Sequence, residues 1–180
     1  MKTDFYTVVE VQRADNNTPS AALYYHFEDY GQAKAKFYTI LAAASVSNLE
    51  YHAAFLIPNN GFMTDRDKEI YDRREEKTPF YILLENQITS EDPNVFGMFT
   101  THYDDQLAVY SNYFSSLSSI VLSSIPYHSA HIIRANDGVM IEGRIYDRRV
   151  DPMSIIPEIP EYIPEPIDEG GEPSEGDEEE

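Results

Sequence analysis

The pentapeptide Ile70-Tyr71-Asp72-Arg73-Arg74 returns unchanged as Ile145-Tyr146-Asp147-Arg148-Arg149, 75 positions later. It closes a series of blocks that recur in one order. Phe5-Tyr6-Thr7-Val8-Val9-Glu10-Val11-Gln12 matches Phe80-Tyr81-Ile82-Leu83-Leu84-Glu85-Asn86-Gln87, and His26-Phe27-Glu28-Asp29 matches His102-Tyr103-Asp104-Asp105. Tyr51-His52-Ala53-Ala54 matches Tyr127-His128-Ser129-Ala130, and Asn60-Gly61 corresponds to Asn136-Asp137-Gly138. Such self-similarity constrains the fold before any local propensity does, because each copy must form the same supersecondary unit. The chain therefore divides into a first repeat (1–76), a second repeat (77–150) and a remainder (151–180).

Read together, the two copies give one pattern. The Phe5 and Phe80 blocks alternate and are rich in β-branched and aromatic residues, which predicts a strand. A turn-rich stretch precedes a second strand near 21–27 and 95–103. Asp29 and Asp105 are placed to cap a helix start by accepting backbone N–H bonds. The helix of copy one presents Ala33, Phe37, Ile40, Leu41 and Ala44 at helical spacing; copy two presents Tyr110, Tyr113, Phe114, Leu117, Ile120 and Val121, with serines opposite. A third strand follows at 51–57 and 127–134. Asn60-Gly61 and Asp137-Gly138 then predict a tight hairpin leading to the fourth strand, since glycine tolerates positive φ. The fold class is α+β, a tandem duplication of a ββαββ unit with a small antiparallel sheet and one helix on one face.

Charge separates the repeats from the remainder. The net charge of −19 splits into −7 for residues 1–150 and −12 for 151–180, which hold 12 acids and no base. Closely spaced prolines from Pro157 to Pro166 exclude a helix or a central strand there, so a disordered, acidic Pro/Glu-rich tail is expected. Direct nucleic-acid binding is disfavoured without clustered cations. Cysteine is absent, which removes disulfides and thiolate chemistry. No apolar run reaches the length of a signal peptide or a membrane span. The expectation is a cytoplasmic protein.

Strand alternation assigns faces. Phe5, Thr7, Val9 and Val11 form a mostly apolar side that is expected to meet the helix. The opposite side collects the polar and aromatic residues kept in both copies: Tyr6, Glu10, Gln12 and His52, with Tyr81, Glu85, Gln87 and His128. With Arg73 and Arg148 these form the candidate interaction face. Two destinations are open to it: a protein or ligand partner, or burial against the twin sheet. In strand three Tyr51, Ala53, Phe55 and Ile57 point to the core, and His131 stands where copy one has Phe55, so the two cores are not equivalent.

The paired arginines offer planar forks for carboxylate or phosphate. Asp72 and Asp147 lie within reach as self-neutralising surface partners, and the acidic tail is a third possible counterion. His26 with His52, or His102 with His128, would need to meet across strands to hold a metal; the spacing is that of no helical metal motif, and no metal or cofactor is assigned. The serine run 115–119 lacks a nucleophile elbow, and no glycine loop cradles phosphate. No catalytic residue is assigned, and the reading is not an enzyme.

The Phe-Tyr…Glu-x-Gln strand, the Tyr-His block and the acidic C-terminus resemble small uncharacterised bacteriophage-type accessory proteins that carry one copy of this unit. The resemblance implies a phage-encoded accessory protein in the host cytoplasm and brings no catalytic residues with it. The leading reading is a non-enzymatic interaction protein working through its sheet faces or tail, with a protein partner, no membrane, and a homo-oligomer allowed. The alternatives are a virion structural or assembly component, an acidic inhibitor of a host nucleic-acid enzyme, and a small-ligand binder.

Overall fold

A computed structural model describes residues 4–15, 21–88 and 96–149, with side chains in the last span from 102 onward. The tail, 151–180, and the start of the second strand of copy two at Val95 lie outside the described residues. Copy one runs β1 (Tyr6–Arg13), β2 (Ala21–Phe27), α1 (Tyr30–Val46), β3 (Tyr51–Pro58) and β4 (Lys68–Asp72). Copy two runs β5 (Tyr81–Ile88), β6 (Phe96–Tyr103), α2 (Gln106–Leu122), β7 (Tyr127–Arg134) and β8 (Val139–Asp147). Each makes a four-stranded antiparallel sheet, ordered β2-β1-β3-β4 and β6-β5-β7-β8. The protein is α+β, built from two ββαββ units of identical topology. Among the described residues no helix is long and apolar enough to cross a membrane.

Local chemistry sets the element ends as expected. Asp29 Oδ1 accepts from the Gln32 amide and Asp105 Oδ1 from the Leu107 amide, each at 2.8 Å, so both helices open on a side-chain cap. Gly138, at φ 65°, closes a tight turn from Arg134 directly into β8. Copy one departs from the expected hairpin. Gly61, at φ 75°, makes the turn, but a loop and a single 3-10 turn at Asp65–Asp67 intervene before β4. That loop is tied to the helix, because Lys34 Nζ donates to Asp67 Oδ1 at 3.0 Å and to the Arg66 carbonyl at 2.6 Å.

The layers are α1, first sheet, second sheet, α2. Val9, Val11, Tyr51, Ala53, Phe55 and Ile57 pack against Phe80, Ile82, Leu84, Ile133 and Ala135 in one core between the sheets. Phe5, Tyr127 and Ile88 extend it. A separate core under α1 joins Val8, Ala54 and Leu56 to Ala33, Phe37 and Ile40; its counterpart under α2 joins Leu83, Ala130 and Ile132 to Val109, Tyr113 and Ile120.

This reverses the expected faces. The Phe5-Thr7-Val9-Val11 side meets the twin sheet, and the Tyr6-Val8-Glu10-Gln12 side meets the helix. The physical reason is that every residue from Tyr51 to Ile57 and from Tyr127 to Ile133 is buried, so alternation separates two interior faces and cannot name their occupants. The more uniformly apolar face went to the broader contact, sheet on sheet. A helix covers a narrower strip and leaves room for polar groups along its flank.

The contacts between copies are reciprocal. Tyr51 Oη donates to the Ala135 carbonyl at 2.7 Å, and Tyr127 Oη to the Asn59 carbonyl at 2.8 Å. Burial pushes the Tyr127 hydroxyl up to about 12, and that of Tyr51 upward as well. The Arg74 guanidinium lies over Phe80 and Tyr51, while that of Arg149 lies over Phe5 and Tyr127. Each copy thus clamps the first strand of the other with its last residues.

Candidate functional site

The ten residues of the expected interaction face are gathered, copy by copy, but not on an open surface. In copy one the Glu10 carboxylate accepts from His52 Nε2 and from Gln12 Nε2, both at 2.7 Å, with Glu10 and His52 buried. In copy two Glu85 accepts from the Ser116 hydroxyl of α2, and His128 Nε2 lies 3.5 Å from its second oxygen and 3.1 Å from Gln87 Nε2. Burial lowers the His128 imidazole, partly offset by Glu85. Tyr6 packs edge-on against Tyr30, and the Tyr81 hydroxyl reaches Gln106. These groups bond to one another beneath the helices, with the Nδ1 atoms of His52 and His128 left unpartnered.

The arginines are equally occupied. Arg73 donates to the Ala44, Ser45 and Leu49 carbonyls, and Arg148 to the Ile120 and Ile125 carbonyls, so each cation covers the open C-terminal carbonyls of its helix. Arg74 forms a two-pronged pair with Asp72 and also reaches the Thr78 carbonyl. At 2% exposure Arg74 is the largest fully buried side chain, so this pair is interior and not the expected surface pair. Arg149 and Asp147 repeat it in a wetter setting. The expected histidine pairs do not meet: His26 registers with Thr7 and His52 with Gln12, on opposite faces, as do His102 with Ile82 and His128 with Gln87. Among the described residues no cluster of three His, Asp or Glu side chains could hold a metal.

What remains are places where the two copies differ. The first is the outer face of the helix. Copy two was expected to bury Phe114 and Val121, yet Val109, Tyr113 and Ile120 face the sheet. Leu107, Phe114 and Val121 point outward at 80%, 60% and 55% exposure, one residue every seven along a single face. Their counterparts in α1 are Gly31, Tyr38 and Ser45, and Tyr110 beside the stripe replaces Lys34. The pattern was present in the sequence as a second apolar stripe. It was missed because Phe114 and Val121 also fit the inward set when Val109 is ignored.

The second difference is a cleft of about 680 Å³ between the copy-one loop at 60–63 and β8. His131 lines it. The chain matches no protein-family model, no curated protein and no solved structure.

Proposed function

We propose that this protein is a non-enzymatic interaction protein that assembles through the outer face of α2, pairing with α2 of a second copy. The observation that carries the reading is the Leu107-Phe114-Val121 stripe, which copy one lacks. An apolar residue every seven positions is the spacing at which one helix keeps meeting another. Ser111 and Ser118 flank the stripe and leave shallow spaces into which Phe114 of a partner helix would seat.

Charge favours a second copy as the occupant. The chain carries −19, so most faces of two copies repel. Residues 106–122 contain no charged side chain, so pairing there brings no like charges together. The α1 face is a poorer candidate, with Gly31 and Ser45 where α2 has Leu107 and Val121.

Sedimentation of the full chain from micromolar to near-millimolar concentration tests this. A monomer–dimer equilibrium is expected. Phe114→Glu is expected to weaken it by roughly 30-fold or more, the loss of a central aromatic anchor, while Tyr38→Glu in α1 leaves it unchanged. A wild-type monomer throughout, or an undiminished dimer in Phe114→Glu, overturns the proposal.

A further inference from the structure

The cleft is a local consequence of duplication followed by divergence. In β3 and β4 Phe55 and Lys68 are cross-strand partners. Their counterparts in β7 and β8, His131 and Gly143, are partners in the same way. The hairpin glycine of each copy folds over this position in the other. A Cβ on Gly138 would lie 2.9 Å from Phe55 and 2.9 Å from the Lys68 side chain, and one on Gly61 would lie 3.1 Å from His131. Copy one fills its position with a ring and a long aliphatic stem. Copy two substitutes a smaller ring and no side chain, and the cleft opens there.

The His131 ring occupies space that the missing side chain of Gly143 leaves free. A Cβ on Gly143 would sit 2.6 Å from the imidazole Nδ1, so no other residue fits without moving the ring. The side chain is 2% exposed, and Nδ1 is buried with no hydrogen-bond partner. An orphaned buried polar atom costs about 1–3 kcal/mol. The Nδ1 atoms of His52, His102 and His128 are buried without a partner too, but of these rings only His131 lines the cleft, where an occupant could complete it. Burial also drives the imidazole down to about 4, so near neutral pH it is uncharged and able to donate or accept.

The rest of the lining points to the chemistry of the occupant. Met63, Met140 and Ile145 supply an apolar wall and Lys68, cross-strand from Phe55, brings a cation to it, whereas Glu142 and Arg144 stand opposite Ile132 and Ala130 and turn their side chains to the α2 side. A lysine turned to the cleft stands out in a chain of −19. Lys68 pairs with Asp65, itself 96% exposed at its side chain, and such a pair is readily exchanged.

We propose that the cleft is a binding site for a small organic monoanion with an apolar body, its carboxylate at Lys68 and its far end against the His131 imidazole. Sites of this size combine apolar walls with a few placed polar groups. The site lies between the two copies and on the opposite side of the second sheet from the helix, so it is independent of pairing through α2.

Calorimetric titration of the full chain with octanoate, phenylacetate and indole-3-acetate, each beside its uncharged alcohol, tests this. At least one acid is expected to bind, with its alcohol about tenfold weaker or more, the loss of one charged hydrogen bond. The double variant His131→Phe/Gly143→Lys, which restores the copy-one pair, is expected to abolish binding while unfolding no earlier than wild type. Lys68→Gln, which keeps most of the aliphatic stem, is expected to weaken the acid and leave the alcohol unchanged. No binding by any acid, equal binding of acid and alcohol, binding that survives in the double variant, or acid binding undiminished in Lys68→Gln overturns the assignment.

Discussion

Copy one and copy two have the same strand order, the same helix caps and the same arginine clamp, yet they differ in how completely each position is closed. Copy one is the sealed copy. Its Arg74–Asp72 pair is interior, Phe55 and Lys68 fill their position under the opposing hairpin, and Lys34 straps the following loop to α1. Copy two is the open copy. Its Arg149–Asp147 pair is partly wet, His131 and Gly143 leave a cleft, and α2 turns a bare apolar stripe outward. The difference teaches where to look for function in a duplicated chain. Residues retained by both copies build the shared frame, and the positions that diverged are the ones released from it.

The largest expected effect sharpens this contrast at the arginines. Arg74→Ala removes a cation from a buried two-pronged pair and from two aromatic faces, leaving Asp72 uncompensated. Burial raises that carboxyl, but the Arg74 hydrogen bonds and charge outweigh it and hold it below its ordinary range. The expected cost is about 3–5 kcal/mol. Arg149→Ala, in a pair with 16% and 10% exposed side chains, is expected to cost clearly less. Denaturant unfolding of both variants measures the gap, and equal costs would break the division into sealed and open copies.

A smaller effect separates Phe55 from His131 by pH. His131 has a folded-state value near 4 because burial disfavours the charged ring. The unfolded chain binds its proton near 6.5, so stability is lost as pH falls from about 6.5 toward 4, by roughly 3 kcal/mol at most. Lys68, paired with Asp65, lines the same cleft. Burial also lowers His26, His102 and His128, so they add to the acid loss, and they are common to wild type and His131→Phe. The pH dependence of unfolding is therefore expected to be shallower in His131→Phe than in wild type. Identical slopes would mean that His131 is not a buried neutral ring.

The frame was largely legible in the sequence. Repeated blocks gave two ββαββ units, and Asp29, Asp105 and the hairpin glycines marked element ends because capping and positive φ are local chemistry. Which side of β1 the helix covers was not legible, since Val8 and Val9 are both fully buried and alternation carries no label for the second interior face. The Glu10-Gln12-His52 set was recognised as a unit, but its neighbour is α1 and not a partner. The cleft was signalled by the exchange of Phe55 for His131. Its depth depends on Gly143 and on Gly61 from the other copy, long-range neighbours that no window of sequence brings together.

The pairing of α2 with its twin is tested most directly by an interchain distance. The chain has no native cysteine, so a nitroxide attached through Ser118→Cys, or through Ala42→Cys at the equivalent place on α1, reports from one site alone. Pulsed dipolar spectroscopy of the Ser118 label is expected to give an interchain distance within about 25 Å, the length of a 17-residue helix. The Ala42 label, on the far side of two sheets, is expected to give a far longer separation. A short distance from Ala42, or no interchain distance from Ser118 at concentrations where the chain sediments as a dimer, would contradict assembly through the open copy.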